Sequence, residues 1–228
     1  MTIRWGALGL SLLMLVLFVM VLGFVIHATN LGWSGLTTDL TGISRLYSEI
    51  APANLGIFAH MIAGAAITAL APLQLIPLVR RKWPAMHRRF GRIIGVAALL
   101  AGLGGLAYIA LRGTVGGPHM SIAFAIYGAL MIVAALQTIR HARARRFTLH
   151  QDWALRLFFL AIGSWLYRVH YGLWHLSTDG AGMHDDFTGP FDQVNLWAFY
   201  VPYLLILEVV LWRRGRGLFA PNARVVAP

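Results

Sequence analysis

The chain lacks cysteine and has few acidic residues. None of its 228 residues is cysteine, and only 8 are aspartate or glutamate, against 19 lysine or arginine. The missing thiols exclude disulfides, iron–sulfur clusters and thiolate metal ligands, so histidine must carry any metal chemistry. Charged residues make up only 12% of the chain, which is too few for an ordinary soluble domain.

Long apolar runs take the place of the missing charge. Hydrophobic residues make up 58% of the chain, and the mean hydropathy is +0.68. A helix needs ~20 apolar residues to cross the hydrocarbon core, and only helices fit runs of that length. Six runs qualify, and we number them spans 1 to 6: about 5–27, 55–79, 91–112, 119–139, 153–175 and 195–212.

These runs predict an all-α integral membrane protein of six transmembrane helices in one domain, residues 1–228. The first run is longer than the apolar part of a secretory signal and lacks a small-x-small cleavage site, so we expect it to be retained.

The basic residues predict the orientation, because they collect in alternate connections. The positive-inside rule then places both termini in the cytoplasm. The acidic residues of the connections lie on the opposite side. The net charge of +11 reflects this topology, because the basic residues lie at helix ends, where anionic lipid headgroups would contact them. We therefore exclude nucleic acid as a partner. The cytoplasmic set is Arg4, Arg80, Arg81, Lys82, Arg88, Arg89, Arg92, Arg140, Arg143, Arg145, Arg146, Arg156, Arg213, Arg214, Arg216 and Arg224.

A pattern is repeated within spans 2 to 5. A glutamine precedes a histidine by thirteen residues in two places, and a His-Met dipeptide lies upstream of each. This repeat predicts two duplicated helical hairpins, about 55–112 and about 116–176, that form a pseudo-twofold four-helix bundle. The helices 5–27 and 195–212 are then peripheral. The repeated positions are His60, Gln74 and His87 in the first copy, and His119, Gln137 and His150 in the second.

The histidines fall at two depths. His60 and His119 lie near the outer ends of spans 2 and 4, and His87 and His150 lie near the cytoplasmic ends of spans 3 and 5. An axis along the membrane normal places span 2 opposite span 4 and span 3 opposite span 5. We therefore expect His60 to face His119 and His87 to face His150. His170, at the outer end of span 5, is the alternative partner of His60.

Two facing imidazoles from diagonal helices are what axial ligation of a b-type haem requires. The four histidines His60, His119, His87 and His150 are therefore predicted to ligate the iron of two haem b groups. Arginines next to the inner pair suit the haem propionates, because a guanidinium binds a carboxylate through two hydrogen bonds. These arginines are Arg88, Arg89, Arg92 and Arg156.

The remaining polar residues of the spans have simpler expectations. Gln74 and Gln137 are expected to hydrogen-bond neighbouring helices or to line the passage between the two tiers. Pro72 and Pro77 are expected to kink span 2. His141, in a basic run, is expected at the surface.

Several segments resemble an uncharacterised bacterial family of predicted membrane proteins, a domain of unknown function. The resemblance covers roughly residues 55–170 and implies a location in a bacterial inner membrane, but it implies no activity. Where the family usually has His-Arg in its second copy, this chain has Gln151 after His150. The segments are Phe58-Ala-His60, Ala71-Pro-Leu-Gln74, Met86-His-Arg-Arg-Phe-Gly-Arg92 and His150-x-x-Trp-x-x-Arg156.

The topology is similar to that of the dihaem six-helix cytochromes b, which pass electrons across membranes from ascorbate to ferric iron or monodehydroascorbate. The four histidines follow one another at separations of 27, 32 and 31 residues. In that group the ligands pair between helices 2 and 4 and between helices 3 and 5, which implies His60 with His119 and His87 with His150. By the same resemblance, the patch 80–82 would attract an anionic reductant.

We therefore predict transmembrane electron transfer through two bis-His haems, from a cytoplasmic or quinol reductant to an outer acceptor, as a cytochrome b-type oxidoreductase. One alternative is a non-redox membrane module or accessory subunit whose basic cytoplasmic collar binds anionic lipid or a partner. Assembly with a partner subunit or as a homo-oligomer stays open under either function. A second alternative is a metal-handling transporter that uses the outer histidines, which are His60, His119, His170 and His175.

Overall fold

The computed structural model describes residues 5–218, and these form α-helices with no strand among them. In chain order the helices are α1 (Trp5–Thr37), α2 (Ala51–Leu75), α3 (Pro77–Lys82), α4 (Pro84–Arg112), α5 (Gly117–Arg143), α6 (Phe147–Thr178), α7 (Pro190–Ala198) and α8 (Val201–Arg213).

Proline marks most of the helix starts. It occupies one of the first two positions of α2, α3, α4, α5, α7 and α8, where its fixed φ fits and its missing N–H is not needed. Pro72 lies inside α2, whereas Pro77 begins a new helix after Ile76, which is extended at ψ 114°. The predicted span 55–79 is therefore interrupted, because the residue before a proline avoids the helical region.

Five segments are long and apolar enough to cross a membrane: Gly6–Thr37, Ala51–Leu75, Pro84–Arg112, Gly117–Arg143 and Pro190–Arg213. The last joins α7 and α8. The sequence predicted six such segments. The remaining run, 153–175, lies in α6, which is 32 residues long, carries Asp152, Arg156 and Arg168, and is not among these five segments.

The helices pack around one extended core. α2 lies against α1, α4 and α6, and α5 lies against α4 and α6. Buried side chains of α1 to α6 and of the junction between α7 and α8 share this core. We call the end that holds the connections 38–50 and 179–189 the outer end, and the end that holds α3 the inner end.

Glycines bring α2 and α4 into close contact near the outer end. A Cβ on Gly104 would lie 2.5 Å from the carbonyl oxygen of Gly56, and one on Gly56 would lie 2.8 Å from that of Gly104. Such small residues let membrane helices approach until their backbones meet. This contact fixes the depth of His60, one turn further along α2.

Asp192 holds the outer connection 179–189 in place. Its side chain is fully buried and accepts hydrogen bonds from the Tyr171 hydroxyl at 2.6 Å and from the backbone N–H groups of His184 and Gly189 at 2.9 Å. A buried carboxylate with this many donors is satisfied. The connection is therefore tied to both α6 and α7.

Candidate functional site

The outer histidine of α2 points at the backbone of α4. The Nδ1 atom of His60 donates a hydrogen bond to the Ala101 carbonyl at 2.6 Å. Gly105 makes room for the ring, since a Cβ there would lie 3.1 Å from Nδ1. This bond fixes the tautomer and leaves the lone pair of Nε2 free, as in histidines that bind a metal or accept a proton.

His119 is bound to α7. Its Nδ1 atom is hydrogen-bonded to the side-chain oxygen of Gln193, and its Nε2 atom accepts from the indole of Trp197 at 3.2 Å. Both ring nitrogens are therefore occupied. The structure does not bring His119 into contact with His60, its predicted partner.

His170, the alternative partner, is also fully bonded. Its Nδ1 atom donates to Asn195 at 2.8 Å, and its Nε2 atom lies 2.9 Å from the Tyr203 hydroxyl. Asn195 in turn donates to the Tyr167 carbonyl, which fixes its amide so that its oxygen faces the imidazole. Both predicted partners of His60 thus bind the segment α7–α8, because that segment covers the outer ends of α5 and α6.

The inner histidines lie at the same end of the bundle. His87 is in the first turn of α4 and His150 is in the first turn of α6. The Nδ1 atom of His150 donates to the Thr138 carbonyl of α5 at 3.0 Å. Its Nε2 lone pair therefore stays free.

Unpartnered polar atoms gather around these two histidines. Among residues 5–218, four buried side-chain nitrogen or oxygen atoms lack a hydrogen-bond partner, and three of them belong to Gln74, His87 and His141. Gln74 borders Gly91, one turn from His87, and His141 is close enough to His150 to interact electrostatically. We call Gln74, His87, His141 and His150 the inner cluster.

His141 was expected at the surface, and that prediction is wrong. The residue is only 8% exposed. Its burial could have been inferred from the sequence, because His141 lies one turn after Gln137 and both therefore lie on one face of α5. Gln137 is half-buried there.

The predicted propionate-binding arginines divide into two groups. Arg88, Arg89 and Arg92 are exposed on α4. Arg156 is buried and binds the carboxylate of Glu208 on α8 through two hydrogen bonds, of 2.5 and 3.0 Å, with its guanidinium 4.7 Å from the centre of the Trp153 ring. The carboxylate that Arg156 binds therefore comes from the protein.

A second ion pair, which the sequence did not indicate, closes the inner end. Asp152 of α6 is buried and receives two hydrogen bonds from Arg216, at 2.6 and 3.1 Å, while Arg216 also donates to the Thr148 carbonyl. Arg216 follows α8, so this pair ties the chain after α8 to the start of α6.

The described part of the chain holds no group of three or more histidine, aspartate or glutamate side chains placed to bind one metal ion. The inner cluster offers three imidazoles, and one nitrogen each of Gln74, His87 and His141 is unpartnered there. It is the only place among residues 5–218 where several such atoms gather.

An apolar helical bundle with a polar cluster at one end defines the class: an α-helical integral membrane protein. The chain belongs to the family of predicted membrane proteins called DUF2306, whose model matches residues 57–211. The predicted family resemblance is thereby confirmed and extends beyond residue 170. No curated protein and no solved structure matches the chain.

Proposed function

We propose that the protein crosses a bacterial inner membrane six times, with α6 as the additional span and both termini in the cytoplasm. The position of α6 against both α2 and α5 supports this, because those neighbours are themselves candidate spans. Adjacent pairs α2–α4 and α5–α6 then form the two duplicated hairpins of a pseudo-twofold bundle. Arg4 and Arg224, which contributed to the charge argument, lie outside the described residues.

Within that arrangement we propose transmembrane electron transfer through a b-type haem held by the inner cluster. The observation that carries the proposal is the pair of imidazoles, His87 and His150, at the inner ends of the diagonal helices α4 and α6. Bound haem iron would supply reversible one-electron chemistry.

The residues of the inner cluster suit such a group. The Thr138 carbonyl holds His150 in the tautomer that presents Nε2, which is the usual support for an axial ligand. The unpartnered amide nitrogen of Gln74 and the exposed Arg88 offer hydrogen-bond donors to propionates. Low dielectric at the buried side of the site would tune the potential.

The second haem, predicted between His60 and His119, remains a prediction. It requires His119 to leave Gln193 and Trp197, or His170 to leave Asn195 and Tyr203. The inner site requires no such exchange, so we place the proposed function there. The electron donor, whether cytoplasmic or a quinol, and the outer acceptor also remain predictions.

The absorption spectrum of the detergent-purified protein, oxidised and then reduced with dithionite, tests the proposal. We expect a Soret band that shifts on reduction and is lost in His87→Ala and His150→Ala. His119→Ala and His170→Ala are matched controls, because their imidazoles bind protein side chains, and they should keep the band. The ratio of haem to protein distinguishes one site from two.

A colourless, iron-free preparation from haem-sufficient cells would overturn the proposal. So would a Soret band that survives unchanged in both His87→Ala and His150→Ala. Each result is read together with the yield of folded protein from gel filtration, so that loss of fold is not mistaken for loss of haem.

A second candidate function, binding of anionic lipid at the inner end, is favoured by a separate observation. A groove of about 600 Å³ lies beside the junction of α3 and α4, and Lys82 and Arg89 line it without any carboxylate. Trp83, 51% exposed, suits a membrane interface. We expect phosphatidylglycerol in nanodiscs to raise the melting temperature, and Lys82→Gln with Arg89→Gln to remove that rise.

The metal-handling alternative depends on convergence of His60, His119, His170 and His175. Two of these, His119 and His170, have both ring nitrogens bonded to protein side chains. No observation therefore favours this alternative over the other two.

A further inference from the structure

A polar site lies between α2 and α6 in the outer half of the bundle. The Thr68 hydroxyl of α2 donates to the Ala161 carbonyl of α6 at 2.8 Å, which sets the register of these antiparallel helices. Eight residues outward along α2 is His60, and seven residues outward along α6 is Arg168. At ~1.5 Å per residue these are ~12 and ~10 Å from the contact, so the two residues lie at one level.

His60 brings an acceptor to this level. Because its Nδ1 atom donates to Ala101, its Nε2 atom carries a free lone pair. Arg168 lies at the same level on the neighbouring helix α6. A guanidinium opposite this imidazole repels a metal cation, and it suits a ligand that carries oxygen.

Arg168 brings donors from the membrane-facing side. The side chain is exposed, it donates one hydrogen bond to the Ser164 carbonyl at 2.8 Å, and its guanidinium lies 4.8 Å from the centre of the Phe24 ring on α1. Neither ion pair found among residues 5–218 includes it.

The guanidinium lies at the depth of the hydrocarbon. Phe24 is nine residues, or ~13 Å, inward of Trp33 along α1, and Trp33 is 64% exposed at the outer end, as tryptophans at a membrane interface are. Arg168 has one backbone carbonyl as acceptor and no carboxylate partner among residues 5–218. A charged residue at that depth is costly, and such residues mark sites of ligands or ions.

Space for a ligand lies beside these two residues. Gly64 is one turn inward of His60 on the same face of α2, and a Cβ built on it would meet no atom within 4 Å. Gly56, one turn outward, is in tight contact with α4 instead. The open space beside Gly64 therefore lies inward of the contact between Gly56 and α4.

The chemistry of this site selects its ligand. The ligand reaches it from the lipid, accepts hydrogen bonds from Arg168 and donates one to Nε2 of His60. A phosphate or carboxylate only accepts, whereas a hydroxyl on an aromatic ring does both. We infer that His60, Gly64 and Arg168 bind the headgroup of a membrane quinol. This inference rests on the proposed redox function, for which it names the reductant.

Binding of decylubiquinol to the protein in nanodiscs, followed by quenching of tryptophan fluorescence, tests the inference. We expect saturable binding in the wild type, weakened about tenfold or more in Arg168→Gln and partly restored in Arg168→Lys, because one charge-assisted hydrogen bond is lost. Arg143→Gln, an exposed arginine at the inner end of α5, is the matched control and should bind normally.

A steric variant tests the same site without changing charge. Gly64→Ala should fold and bind, since the added methyl group meets nothing, whereas Gly64→Leu should fill the space and abolish binding. Gly9→Leu on the exposed face of α1 is the control, because a Cβ there also meets nothing within 4 Å.

Equal binding by wild type, Arg168→Gln and Gly64→Leu would overturn the inference. The inference would also be overturned if phosphatidylglycerol bound through Arg168 and decylubiquinol did not bind, because that result would assign the site to a lipid phosphate. Loss of a haem in His60→Gln would assign that imidazole to iron and would also overturn it.

The binding assay does not depend on haem, so the two proposals fail separately. A haem-free protein that binds decylubiquinol through Arg168 would end the haem proposal and leave the quinol site standing. A haem protein without such binding would end the quinol site alone.

Discussion

At the outer end of the bundle, His119 and His170 have both ring nitrogens bonded to other side chains, whereas at the inner end His87 and His141 each keep a buried nitrogen without a partner. A hydrogen bond left unmade in a buried place costs about 1–3 kcal/mol. The outer pair therefore holds α7 and α8 against the outer ends of α5 and α6. The inner pair is poorly satisfied by the protein alone, as binding sites often are.

Two ion pairs lie close to the inner end, where their charged groups are satisfied by one another. Arg156 with Glu208 and Asp152 with Arg216 join α6 to α8 and to the chain after α8. Polar residues therefore have two uses within one bundle. Some bind one another, and others keep a nitrogen that is available to a ligand.

The largest effect is expected from breaking the buried ion pair. Glu208→Ala leaves Arg156 charged and buried, which should lower the free energy of unfolding by about 3–5 kcal/mol. Thermal unfolding in detergent measures it. The double variant Arg156→Met with Glu208→Leu should recover most of the loss, and equal losses in both variants would show that packing, not the unpaired charge, is responsible.

A smaller effect, of opposite sign at the two ends, is expected from replacing histidine by leucine. His170→Leu leaves Asn195 and Tyr203 without a partner and should cost about 1–3 kcal/mol. His87→Leu removes an unsatisfied nitrogen and should be neutral or stabilising in protein free of haem. Denaturant titrations of both variants measure the two free energies of unfolding. Destabilisation of the same size in each would show that the histidines of the two ends do not differ in this way.

Glycine substitutions should distinguish tight from open positions along the two contacting helices. A Cβ on Gly104 would lie 2.5 Å from the Gly56 carbonyl oxygen, so Gly104→Ala should cost about 1–3 kcal/mol. Gly64→Ala meets nothing and should stabilise by about 0.5–1 kcal/mol through helix propensity. Melting temperatures of the two variants should move in opposite directions.

The smallest effect is expected in the outer connection 38–50. The hydroxyl and backbone N–H of Thr41 hold the pKa of the exposed Asp39 carboxyl below its usual range. A lowered pKa stabilises the folded state above the unfolded pKa of about 3.9, and this is lost as pH falls through the folded value. Wild type and Asp39→Asn should differ slightly in melting temperature at pH 7 and converge in acid.

The apolar runs predicted where helices lie but not where they end. Span 3 was predicted to begin at residue 91, and α4 begins at Pro84; span 1 was predicted to end at residue 27, and α1 ends at Thr37. Hydropathy detects only the hydrocarbon layer, whereas a helix continues through the headgroup region, where polar residues cost nothing. The proline at residue 84 was the signal for the true start of α4.

The repeat predicts that His87 faces His150, but it could not predict which of their ring nitrogens lack a hydrogen-bond partner. Sequence spacing gives depth along a helix, and depth is shared by many side chains. Whether His119 binds iron, Gln193 or lipid depends on where α7 lies, and nothing in the spacing of spans 2 to 5 places α7.

The sequence alone determined that this protein is helical and lies in a membrane, because apolar runs of that length have no other way to satisfy their backbone hydrogen bonds. Only the tertiary structure decided which polar atoms are satisfied. That outcome depends on contacts between residues far apart in the chain, such as His170 with Tyr203 and Arg156 with Glu208, whose geometry no local pattern records.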